Sequence, residues 1–387
     1  MVVGLGMLLV VAAAQVATQV LAQTPAAALA NPVRVQADAS AATDGRVQAI
    51  LPLGSRIYIG GSFTRVRTLG GVWVVRPYLA ALDAATGDLD PGFAPSPDGP
   101  VQALAGDASG TRLLVAGVYD RIGGAPHRQL AVLEPASGAA LGGSSVDVDG
   151  GEILALAVVG QRVFLGGKFI QVTDAAGPHT RRRAAAVDLA SGLVLAGWHP
   201  DPDRAVRALA PSPDGQTLYM GGSFTTIAGS FRRKLAALDP VSGRLLPYLA
   251  DPQATVIGLQ ATAAGLFAAI GGPGGRCSAF DPTTGQTRWS VHANGNVQAV
   301  ALLGGLVYCG GHFNGTRSFG DVGRYKLAAV DAANGTIASF APRLDSALGV
   351  FALATNGPHL EVGGDFTTVS GTAQEHYAQF TPDRAAR

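Results

Sequence analysis

An all-β fold is predicted by three features of this 387-residue sequence. The first is a recurring stretch, "IYIGGSFTRV" at 57–66, with copies "VFLGGKFIQV" at 163–172, "LYMGGSFTTI" at 218–227, "VYCGGHFNGT" at 307–316 and "LEVGGDFTTV" at 360–369. The second is composition: 53 glycines and 23 prolines, with 6% aromatics, suit many short strands joined by tight turns better than long helices. The third is order, because three further landmarks flank the double glycine in the same sequence each time, which chance similarity does not produce.

The first landmark is an apolar-x-small step, from Val47-Gln48-Ala49 and Val101-Gln102-Ala103 through to Val350-Phe351-Ala352, which reads as a short buried strand. The second strand ends in the glycine pair, Gly60-Gly61 in the first unit and Gly363-Gly364 in the last, with Ala116-Gly117 in the second. The glycines are expected where a side chain would crowd the backbone or where positive φ is needed. The aromatic two residues on is expected to wedge between neighbouring units. It is Phe63, Phe169, Phe224, Phe313 or Phe366, with Tyr119 in the second unit. The third strand is "LAALD" at 79–83 or a variant, followed by a turn ending in glycine. Its acidic residue can accept backbone N–H groups while the glycine tolerates positive φ. A fourth strand such as "LDPGFAP" or "TRWSV" leads onward.

Seven such units of about 40 to 55 residues, none able to bury both faces alone, predict a seven-bladed β-propeller of four-stranded antiparallel blades. The seventh unit lacks its last strand, and "NPVRVQAD" at 31–38 stands where a fourth strand would precede the first unit. An N-terminal strand closing the ring would remove the open edges. Unit five, with Pro273-Gly274 after its glycines, should have the least elaborated rim.

Residues 1–30 carry no charge and open with an apolar run, the pattern of a secretory signal peptide, although no Lys or Arg precedes the run. Gln15, Thr18 and Gln19 interrupt the run before a membrane span is reached. The division expected is therefore 1–30 as a signal or apolar segment and 31–387 as one domain, in a protein that is secreted, periplasmic or on the cell surface, without a membrane span in its mature form and monomeric. Lys168, Lys234 and Lys326 are the only lysines among 28 basic residues, a bias that reads as GC-rich bacterial coding. A net charge of +1 provides none of the basic excess that binding a phosphate backbone requires, which argues against nucleic acid. Cys277 and Cys309 stand at apolar strand positions and read as buried thiols, with a disulfide as the alternative that export would allow.

The combination of V-x-A-L, "GGSFT", an Arg before "LAALD" and D-x-x-T-G resembles the delta-60 repeat β-propellers, a bacterial family largely without assigned function. The resemblance covers Val47 to Phe380 and implies a seven-bladed, often exported propeller with no catalytic residues to carry over. "ALDPVSGRL" and "FDPTTGQTRW" also look like the repeat motif of propeller dehydrogenases that use pyrroloquinoline quinone, in which a Trp docks neighbouring blades. Only Trp289 stands in that place, and the two cysteines are not adjacent as they are in many of those enzymes.

Ligand chemistry is expected on the face that carries the loops between second and third strands and the connections between units. A cation recurs there ahead of the third strand, as Arg76, His127, Arg181, Arg232 and Arg324. One reading makes these a ring that grips carboxylates or sulfates of an acidic glycan. The other pairs them with acidic loop residues such as Asp90, Asp201, Asp203, Asp251 or Asp345. The seven histidines are scattered, and Asp147, Asp149 and Glu152 fit a tight turn better than a calcium loop, so neither metal nor cofactor is expected. No G-x-S-x-G, P-loop or H-E-x-x-H is present. The expectation is a module that binds a protein or a glycan, with no catalysis evident. The alternatives are an extracytoplasmic polysaccharide hydrolase or lyase and, less favoured, a quinone-dependent dehydrogenase.

Overall fold

Residues 33–142, 146–272 and 274–382 are described by a computed structural model. The apolar N-terminal segment at 1–30 lies outside them. Among the described residues no helix is long and apolar enough to cross a membrane.

Seven sheets repeat one plan, in which an innermost strand pairs antiparallel with a second and the second with a third. In the first unit these are Val47–Leu53, Arg56–Gly61 and Leu79–Asp83. The apolar-x-small step is a β-bulge: the register shifts between Val47 and Ala49, and at the matching place in the other six units. An extra residue there bends the strand and strengthens its twist.

The fourth strand is shorter than the sequence suggests. Among the described residues only Thr287–Ala293 of unit five is a full fourth strand. In units one to four and six it shrinks to a single bridge, as between Leu82 and Leu89. Pro91, Gly142, Gly197 and Pro247 interrupt the segment in the first four units, and proline removes a ladder donor while glycine weakens a strand. The unit-five segment contains neither.

Each innermost strand packs beside that of the next unit, and Val350–Asn356 of the last packs beside Val47–Leu53 of the first. Beside the last unit's third strand, Arg34 and Asp38 donate main-chain N–H to Thr381 O and Gln379 O at 2.9 and 2.8 Å. The seven innermost strands together line a central space of about 230 Å³, where Ile50, Leu104, Leu156, Leu209, Leu259 and Leu353 stand with Arg207 and Gln298.

Crowding explains the double glycine outside unit five, where Gly272 instead sits at φ 106°. A Cβ on Gly60, Gly166, Gly221 or Gly310 would lie 2.4 to 2.5 Å from Cγ1 of the valine that opens the next unit, and on Gly363 it would lie 2.7 Å from Val47 Cγ1. A Cβ on the second glycine, as at Gly61, would meet the unit's own backbone at Arg46 O, 1.9 Å away. The aromatic two residues on is buried, and each packs among residues of its own and the preceding unit: Phe169 lies with Leu114 and Val132, and Phe224 with Phe164 and Trp198.

Candidate functional site

The D-x-x-T-G turns are built as their residue types require. Asp83 Oδ1 accepts the N–H groups of Ala85 and Thr86 and the Thr86 hydroxyl, and Gly87 sits at φ 72°. Asp188 and Asp281 repeat the arrangement with Ser191 and Thr284. These turns and the hairpins between first and second strands share one face of the molecule. The carbonyl just after the acidic residue takes a hydrogen bond from the preceding unit: Tyr58 donates to Pro135 O, Tyr219 to Pro282 O and Trp289 to Ala332 O, at 2.7, 2.7 and 2.9 Å. At the junction of last and first units Asn356 donates to Ala84 O at 3.3 Å.

The opposite, loop-rich face explains the Thr of "GGSFT". Asp203 accepts Thr225 N–H, the Thr225 hydroxyl and Thr226 N–H at 2.7, 2.6 and 3.0 Å. Asp44 holds Thr64 and Arg65 in the same way, and Asp345 holds Thr367 and Thr368. Burial opposes the Asp44 charge, but the N–H groups of Arg65 and Thr64 and the Thr64 hydroxyl outweigh it and lower the pKa to about 2. These clasps join the connection entering a unit to the loop leaving its second strand. An aspartate about three residues before the innermost strand was their only signal in the sequence.

Among the described residues the recurring arginines bond main-chain carbonyls, and none of them pairs with the loop aspartates. Arg76 donates to Val75 O and Pro91 O at 2.9 and 2.8 Å, and Arg324 to Gly323 O and Ala338 O at 2.7 Å each. Arg181, 8% exposed, reaches Thr180 O at 2.8 Å and the Leu195 and Ala196 carbonyls, and Arg232 reaches Phe231 O at 2.8 Å. These guanidinium groups tie the approach to the third strand to main-chain carbonyls instead of pairing with the loop aspartates. Burial holds the His127 pKa below its usual value, and its Nδ1 has no partner among the described residues. Of the acidic residues named with them, Asp90 pairs with Arg56 and Asp251 with Arg233, at 2.5 and 3.8 Å.

The loop-rich face also carries features the sequence did not single out. In the first unit Arg65–Arg67 and Trp73–Val75 form a hairpin. The guanidinium carbons of Arg65 and Arg67 stand 5.2 and 5.5 Å from the centroid of the Trp73 ring, which is 37% exposed. Val72, Val75 and Leu69 lie exposed beside it. The residue just before the third strand is left-handed in six units although it is never glycine: Tyr78, Gln129, Arg183, Lys234, Lys326 and His376 have φ of 62 to 70°. Its N–H bonds the carbonyl of the rim aromatic and its carbonyl accepts from the second glycine, as in Phe313 O, Lys326 and Gly311 N.

Cys277 and Cys309 are joined in a disulfide with their Cα atoms 6.3 Å apart, so the thiol reading gives way to its alternative. The bridge runs from the third strand of unit five to the second strand of unit six, and both residues are fully buried. At the junction of last and first units, Glu361 stands where Tyr58, Phe164, Tyr219 and Tyr308 stand in other units. It is fully buried and accepts from Tyr377 Oη and Gln379 Nε2 at 2.7 and 3.1 Å. Burial pushes its pKa up to about 7 against the lowering effect of those two bonds. Among the described residues no group of three or more His, Cys, Asp or Glu side chains could hold a metal ion.

No protein-family model matches the sequence, and no curated protein matches it. Solved structures do resemble the fold. The WD40 β-propeller domain of Doa1 superposes with a TM-score of 0.58 at 10% identity, covering 90% of this chain and 98% of that one. The computationally designed Ika8 protein superposes with a TM-score of 0.55 at 15% identity, covering 89% and 100%. At such identities the likeness speaks for the fold alone. The chain is an all-β protein of antiparallel sheets with a β-propeller fold.

Proposed function

We propose that this is an exported seven-bladed propeller of the delta-60 repeat kind that serves as a binding module for a protein or glycan through its loop-rich face. The cyclic packing of innermost strands and the main-chain bonds of Arg34 and Asp38 support seven blades closed by an N-terminal strand. A buried disulfide supports export, since such bridges persist in oxidising compartments.

The observation that carries the binding reading is the Trp73 hairpin. A half-exposed indole flanked by two guanidinium groups and ringed by exposed Val72, Val75 and Leu69 is a costly surface for a protein with no partner to cover it. Trp and Arg are also the residue types that dominate binding energy, and an indole face stacks on sugar rings as readily as on protein side chains. A ligand that binds only the native state raises the unfolding midpoint. Thermal unfolding against neutral and acidic oligosaccharides, with a parallel assay for polysaccharide cleavage, is the test. A midpoint raised by a ligand and lost in Trp73→Ala is expected. Cleavage that survives Trp73→Ala, with no midpoint shift from any oligosaccharide, would refute the reading.

A further inference from the structure

Between units six and seven a groove of about 670 Å³ opens on the loop-rich face, a volume suited to a small ligand. Two cations line it. Lys326, one of the three lysines of the chain, is only 4% exposed, and its side chain has no hydrogen-bond or ion-pair partner among the described residues. Arg343 comes from the connection into unit seven, whose backbone bridges Tyr325, and its guanidinium carbon lies 4.1 Å from the centroid of the Tyr325 ring. It too has no carboxylate within ion-pair distance among the described residues.

The two nearby carboxylates are already committed. Asp345 accepts three donors from Thr367 and Thr368. Asp365 accepts from Ser346 Oγ and from the N–H groups of Leu348 and Gly349. Burial disfavours the Lys326 charge and the field of Asp365 opposes this, so an anion in the groove would offset the remaining cost.

We propose that this groove seats the carboxylate of an acidic sugar between Lys326 and Arg343. The proposal rests on the loop-rich face being the binding face. A planar guanidinium matches a carboxylate through two parallel N–H···O bonds. The neighbouring Asp345 and Asp365 charges favour a monoanion over a phosphate dianion. Asn314 and Thr368 line the same groove and present amide and hydroxyl groups to a polyhydroxy ring.

The test is calorimetric titration of the full chain at low salt with trigalacturonate, with neutral maltotriose and inorganic phosphate as controls. Binding of the trigalacturonate is expected, with neither control matching it, and Arg343→Gln and Lys326→Met should each weaken it at least about tenfold. Arg343 is exposed, so Arg343→Gln decides the matter if Lys326→Met fails to fold. Absence of trigalacturonate binding to the wild-type chain, wild-type affinity in Arg343→Gln, equal affinity for maltotriose, or equal competition by phosphate would each overturn the proposal. Trigalacturonate binding lost in Trp73→Ala but unchanged in Arg343→Gln would leave the binding face standing and remove the groove from it.

Discussion

Replacing Gly363 with alanine would place a methyl carbon 2.7 Å from Val47 Cγ1 and 3.1 Å from both Val47 Cβ and Ile50 Cδ1. Carbon atoms in contact prefer 3.5 to 4.0 Å, so the intruding methyl must displace a strand lodged between two sheets. Overpacking of this kind costs about 1 to 3 kcal/mol. Val47→Ala alone removes two methyl groups from a fully buried site and should cost about 2 kcal/mol. Because the alanine occupies part of the space those methyls vacate, the double variant should be more stable than the sum of the two losses by at least about 1 kcal/mol. Denaturant unfolding of the four proteins measures this coupling. Gly221→Ala with Val256→Ala provides an internal control, since that methyl would fall 2.4 Å from Val256 Cγ1 in consecutive units. Coupling in the control and none between positions 47 and 363 would refute the packing of the last unit against the first. Additive losses in both pairs would refute the explanation of the double glycine itself.

Replacing both cysteines by alanine should cost about 3 to 4 kcal/mol by loop-closure entropy, given a separation of 32 residues, and an unfolding midpoint unmoved by dithiothreitol would contradict this. Asp203→Ala strips three donors at Thr225 and Thr226 of their acceptor and should lower stability by about 2 kcal/mol, read by urea unfolding at neutral pH, where wild-type stability would count against the clasp. The Asp44 clasp adds a pH signature. Its folded pKa is depressed, so its contribution of about 2 kcal/mol is present above pH 4 and fades as pH falls towards 2, a fade that Asp44→Asn should abolish. Glu361 has the opposite sign: its folded pKa is raised from 4.5 to about 7, so the stability it contributes is full below pH 4.5 and lost as pH rises through 7. Glu361→Gln should flatten stability across that window, and an unchanged slope would show that the carboxyl does not titrate there.

The repeat was legible because its determinants are local or steric and recur. A turn acid three residues from a hydroxyl, a glycine at positive φ and a glycine pair facing a valine leave the same trace in most units. The disulfide was less legible, since each cysteine replaces an apolar residue and only the packing of unit five on unit six brings the two together. The partners of the recurring cations were hidden for a related reason. Arg76, Arg181, Arg232 and Arg324 bond carbonyls and not the loop aspartates, and a carbonyl acceptor leaves no mark in sequence because every residue has one. Lys326 stood out in the sequence only as a rare lysine, because an unpaired state is a property of the surroundings and not of the residue.

The exceptions to the repeat mark the places where units differ in what they must do. Where an aromatic ring on the second strand fills most boundaries, Glu361 with Tyr377 and Gln379 fills the last, and Gln374 donates there to Ser40 Oγ and Ala41 O. Both bonds of Glu361 run between the second and third strands of the last unit, while Gln374 supplies the side-chain bonds to Ser40 and Ala41. A polar network has directional requirements that an apolar interface lacks, so the buried carboxyl trades some stability near neutral pH for a fixed placement of Tyr377 and Gln379 on the third strand.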